Sequence, residues 1–206
     1  SRPIKKSEIL LGKTLGLFVI WSAVLTTIYV TSIAAIIGIG HGRLQVIDFV
    51  RLGIVFLFAD IYLLFWSFFA VAVTARLKQF SSAILVGITS WLMVVLVIPQ
   101  IGDTMDPDNQ VPGGLFGSLG IVKATETSIL AHFHSFDVIR NGLEVSSITK
   151  LFERIAFAFL GIKDKYNQLS ISSVAKALES SLIAVILLTV LVNLISCNAK
   201  FLPSPT

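Results

Sequence analysis

The chain has 206 residues, 55% of them apolar and only 14% charged, with a mean hydropathy of +0.88 and a formal charge of +4. Soluble domains carry about 25% charged residues, so this composition excludes a disordered chain and argues against a water-soluble globule. The single cysteine, Cys197, excludes a disulfide framework and any multi-cysteine metal site.

The chain opens with SRPIKKSEILLGKTLG, a basic segment (residues 1–14) that runs into apolar sequence. Pro3 suits the first turn of a helix, and Ser7 followed by Glu8 reads as an N-cap with an acid in the first turn. Ile9, Leu10 and Leu11 lead into the bilayer. Lys13 can lay its stem on apolar surface and lift its ammonium to the headgroups.

A spanning helix needs about 20 mostly apolar residues. Four segments qualify: Leu15–Ile39, Phe49–Val73, Phe80–Ile101 and Ser180–Ala199. The first is too long for a signal-peptide core and lacks a small-residue cleavage site. The predicted class is therefore all-α and polytopic. Its parts are the segment 1–14, three spans within 15–102, a loop over 103–179, and a last span with a short tail over 180–206.

The 103–179 loop has internal structure. Met105–Gly114 (MDPDNQVPGG) is turn chemistry. Thr125–Leu143 reads as an amphipathic helix, with Ile129, Leu130, Phe133, Phe136, Ile139 and Leu143 at three-to-four spacing and Thr125 or Thr127 as its cap. A second helix runs from about Ser147 to Leu160. Its apolar end, Ile155–Leu160, is too short to span, and either lies in the interface or dips in as a re-entrant piece.

Charge gives an orientation. Arg2, Lys5, Lys6 and Lys13 precede the first span, Arg76 and Lys78 lie between spans two and three, and Lys200 follows the fourth. The positive-inside rule places all of these, and both chain ends, in the cytoplasm of a plasma-membrane protein. The 103–179 loop carries a net −2 and the rest +6, so the overall charge is a topology signal. No basic, aromatic-interleaved patch argues for nucleic acid.

The run from Arg2 to Gly16 follows the pattern R-P-I-x-[KR]-S-E-I-L-L-G-K-x-L-G, and in this the chain resembles the type-2 ABC exporter permeases, the ABC-2 membrane family. The likeness is strongest to the branch with the permease of the nitrous oxide reductase maturation system and the gliding-motility permeases. It implies that the four spans correspond to helices three to six of a six-helix permease, with two further helices ahead of Ser1. It also implies a second permease copy, homo- or heterodimeric, and a separate cytoplasmic ATPase. This chain has no G-x-x-x-x-G-K-[ST] loop to hold ATP itself. On this reading Arg2, Lys5, Lys6 and Glu8 transmit the ATPase's push; the alternative is that they only anchor the topology.

Several polar residues lie inside the spans. Asp60, near the middle of the second, costs about 2.5–3.5 kcal/mol if ionised at that depth, so it must face protein or water. It lines a pathway, binds a cationic group or exchanges a proton, or else it is protonated, or hydrogen-bonded to Tyr62, Ser67 or a neighbouring helix, and specifies packing. Asn193 in the last span pairs across helices or lines the route. Ser22, Thr26, Thr27, Thr31 and Ser32 give the first span a hydroxyl-rich side for close packing, back-bonding or a polar substrate. Cys197 reads as a packing residue. His132 and His134 point to different helix faces and His41 stands apart, so no metal is expected. No catalytic constellation and no cofactor motif stands out. The rival readings are an assembly protein that binds a partner through the 103–179 helices, and an intramembrane enzyme using Asp60.

Overall fold

No proline lies between Pro3 and Pro99, so nothing over that stretch removes a helical hydrogen bond or forces a break. In the computed structural model the described residues are 6–39, 44–77, 79–104, 118–121, 125, 138–139, 142, 145–162 and 164–198. The first helix, α1, spans Lys6–Gly38 without interruption. At 1.5 Å per residue it is about 50 Å long, well beyond a hydrocarbon core of about 30 Å. Ser7, expected to cap it, already lies inside, because the basic segment is itself good helix sequence and continues the apolar run in one rod.

Helix α2 spans Val46–Arg76. It starts three residues before the expected Phe49 because the Asp48 carboxylate accepts the Gln45 N–H at 2.8 Å and caps the first turn. Arg76 ends it, complementing the carbonyl pole. Helix α3 (Phe80–Leu92), a π-turn (Met93–Val97) and α4 (Ile98–Thr104) follow as one rod. Further on come α5 (Ile148–Phe159), α6 (Asp164–Asn167), α7 (Ile171–Ala177) and α8 (Glu179–Asn198). Ser170 caps α7 by accepting the Ser173 N–H at 3.3 Å. Four helical stretches are long and apolar enough to cross a membrane: Gly12–Gly38, Val46–Arg76, Phe80–Gly102 and Glu179–Cys197. No strand occurs among the described residues. The expected turn at 105–114 and, apart from single positions, the expected helix at 125–143 lie outside them.

The chain forms two compact units, one of residues 1–87 and 152–206, the other of residues 88–151. In the first, α2 is the hub. Helix α1 pairs with it antiparallel through three polar rungs. Trp21 Nε1 donates to Ser67 Oγ at 2.8 Å, Ser22 Oγ to Asp60 Oδ2 at 2.5 Å, and Tyr29 OH to the Phe49 carbonyl at 3.1 Å. Helix α8 packs along α2 with Ser181, Val185, Thr189 and Ser196 buried, a stripe of mostly small side chains that lets backbones approach. Thr189 donates to its own helix at Val185, so its buried hydroxyl is satisfied locally.

Helix α5 also belongs largely to this unit. Phe152 stacks on Tyr62 (5.2 Å, 21°), midway along α2, and Ile155, Ala158 and Phe159 are buried. Just past its end, Gly161 sits against the Arg51 guanidinium, which donates to the Leu169 carbonyl at 2.7 Å. So α5 runs antiparallel to α2 from its middle to its Arg51 end. In the second unit, Ser147 is fully buried; its hydroxyl donates to the Val94 carbonyl at 2.9 Å and accepts the Lys150 N–H at 3.4 Å.

Candidate functional site

The α1–α2 pair leaves a cleft of about 290 Å³, lined on α1 by Phe18, Ser22, Thr26 and Tyr29 and on α2 by Gly53, Phe56 and Asp60, with two leucines. The pairing builds it directly. Tyr29 meets Phe56 edge to face (5.2 Å, 77°) and holds the helices at one end, and the Ser22–Asp60 bond holds them at the other. One turn beyond Phe56, on the side away from Asp60, Gly53 presents no side chain, and a Cβ placed there would meet nothing within 4 Å.

Asp60 is 5% exposed. Its Oδ2 takes the Ser22 hydroxyl, while Oδ1 is buried without a hydrogen-bond partner. A carboxylate has about four acceptor positions, so one hydroxyl leaves most of its demand unmet in a low-dielectric setting. Among the described residues, no basic side chain lines the cleft. The other buried orphan, Trp66 Nε1, belongs to an edge-to-face aromatic cluster with Tyr62, Phe65 and Phe69 on α2.

Of the residues singled out in the sequence, Asp60, Thr26 and Ser22 come together at this cleft. Thr27 does not: its hydroxyl turns back to the Ala23 carbonyl at 2.9 Å. Thr31 likewise bonds its own helix, at Thr27 and Ile28. Asn193 pairs within α8, accepting from Cys197 Sγ at 3.3 Å, rather than across helices. Asp60 bonds a neighbouring helix, and Ser67 serves Trp21 instead. Arg2 and Lys5 lie outside the described residues; the backbones of Lys6 and Glu8 form the first turn of α1. His41, His132 and His134 also lie outside, and no group of three His, Cys, Asp or Glu gathers among the described residues. The aromatic wall of Phe18, Tyr29 and Phe56 was not singled out in the sequence. Its one signal there is the spacing of Tyr29 one helical face along from Ser22.

Fold and site together define an all-helical, multi-pass membrane protein with a polar cleft between its first two spans. Residues 1–195 match the family described as ABC-2 family transporter protein, and the chain belongs to that family. That makes it a permease component of an ABC transporter. No curated protein and no solved structure matches it.

Proposed function

We propose that this chain forms the substrate path of an ABC-2 exporter, paired with a second permease copy and driven by a separate cytoplasmic ATPase. The family match over residues 1–195 carries the reading. The sequence supports the division of labour. Its Gly12-Lys13-Thr14 triplet lies inside α1, and Ser7 stands where a phosphate-binding loop needs its first glycine. ATP closure of the partner would push the basic start of α1, with Arg2, Lys5, Lys6 and Glu8 receiving the push, and the spans would move between two access states. The start of α1 and the α2–α3 turn then face the cytoplasm, as the Lys and Arg distribution favours. Helix α5, reaching from the Arg51 end of α2 to its middle, would be re-entrant from the outer side. Asp60 and Thr26 would line the path; Thr27 and Asn193 hold their own helices. The branch with the nitrous oxide reductase maturation and gliding-motility permeases is favoured by the opening motif alone.

Mild-detergent purification of the tagged chain from native membranes tests the proposal. Co-elution of a nucleotide-binding subunit with ATP hydrolysis is the expected result. A chain that purifies without any such subunit under conditions that keep it folded would overturn it.

A further inference from the structure

The cleft beside Asp60 combines a buried carboxyl group with aromatic walls, a pairing that suits a cationic amphiphile. A carboxyl group is 95% withdrawn from solvent, one of its oxygens is unpartnered, and no positive side chain is among the described residues that line the space. Three aromatic rings, Phe18, Tyr29 and Phe56, line it, and Gly53 leaves space at the end away from Asp60. Aromatic faces attract cations electrostatically, most strongly when water is excluded. Ionisable side chains within spans face a bundle interior or cavity and mark ion or substrate pathways, and Asp60 has a single hydroxyl, that of Ser22, as its described partner. The volume, about 290 Å³, is at the small end of ligand pockets, of the order of 300–1,000 Å³, and fits one alkyl chain with a compact head.

We propose that this cleft binds the ammonium head of a lipophilic amine, with its charge paired to the Asp60 carboxyl group and set among the aromatic walls, and the chain laid along Gly53 and Leu57. An alcohol of the same length can donate one hydrogen bond to the carboxyl group but brings no charge to it or to the rings. Its transport meaning rests on the permease reading, but the binding itself is a property of this chain.

The test is equilibrium binding of radiolabelled octylammonium and octan-1-ol to the purified complex in phosphatidylcholine nanodiscs, with empty nanodiscs subtracted. The wild type is expected to hold the ammonium at least about tenfold more tightly than the alcohol, the scale of one desolvated charge contact. Asp60→Asn removes that preference, and Gly53→Leu, which fills the cleft with a good helix former, removes binding of both. Equal affinities in the wild type, or a preference that survives Asp60→Asn, overturn the inference. Should Asp60→Asn fail to fold, Gly53→Leu decides: lost binding supports the site, retained preference refutes it. The ATPase content of the same preparation separates the two failures. A complex that contains the ATPase but shows no preference sinks only the amine site. A chain without any ATPase sinks the permease reading whatever it binds.

Discussion

Ser22 and Trp21 are neighbours on α1, yet their bonds to α2 differ in worth. Ser22 supplies a buried carboxylate with the only partner described for it, whereas Trp21 donates to a hydroxyl that also bonds the Leu63 carbonyl. Removing a partner from a buried polar group costs about 1–3 kcal/mol, while hydrogen bonds between membrane helices average about 0.6 kcal/mol. Ser22→Ala is therefore expected to destabilise the fold by about 1–2 kcal/mol and Trp21→Phe by about half a kcal/mol. Reversible unfolding in mixed micelles checks the ranking, and equal losses would contradict it. That Ser22 faces Asp60 is legible by counting outward along two antiparallel helices from the 39–45 connection, at nearly equal chain distances. Which of Thr26 and Thr27 lines the cleft is not. The apolar residues of α1 are spread around the helix and Thr26 and Thr27 are neighbours within its hydroxyl-rich part, so no apolar stripe fixes its rotation, and a threonine that bonds its own backbone leaves no trace in the pattern.

At the scale of elements, Pro99 is legible as a disturbance of the third span, but its consequence is not. The span does not stop near Ile101; it continues to Thr104 through a π-turn in which Ile98 N–H reaches the Met93 carbonyl. The next donor in that series would serve Val94, and proline has none. The Ser147 hydroxyl supplies it instead while capping α5. A partner so distant in sequence has no local signature. Ser147→Ala removes both bonds at a buried position and is expected to cost about 1–3 kcal/mol in the same unfolding assay; a loss below about half a kcal/mol would contradict the assignment. The turn after α5 behaves similarly. Gly161 has φ +68°, and an added Cβ would stand 3.1 Å from Arg51 Nη1 and 3.3 Å from Asn167 Cα. Gly120 has φ +67° with open space around it. Gly161→Ala should therefore destabilise by about 1 kcal/mol or more beyond Gly120→Ala, which bears only the backbone cost. The amphipathic pattern of α5 was readable, but its depth beside Tyr62 comes from an aromatic stack that periodicity does not encode.

Over the whole molecule, the four apolar stretches and their order follow directly from hydropathy, since length and composition alone decide what crosses a bilayer. The spans differ sharply in burial. The apolar window of α2 is 28% buried and that of α1 none at all, with Val19 and Ile20 62% and 59% exposed. Such surface belongs against lipid or other helices. The proposed orientation has its own test by single-cysteine labelling in a Cys197→Ser background. Gln79→Cys is expected to react only from the cytoplasmic side and Gln168→Cys only from outside; the opposite pattern would contradict the orientation.

The central claim, that the basic start of α1 takes its push from a separate ATP-hydrolysing subunit, is tested most directly by a photo-cross-linker placed at Glu8 in native membranes. The expected product joins this chain to a nucleotide-binding subunit, with a yield that changes when ATP hydrolysis is trapped. Cross-links to lipid alone, or reaction at position 8 with a reagent confined to the outside, would contradict it.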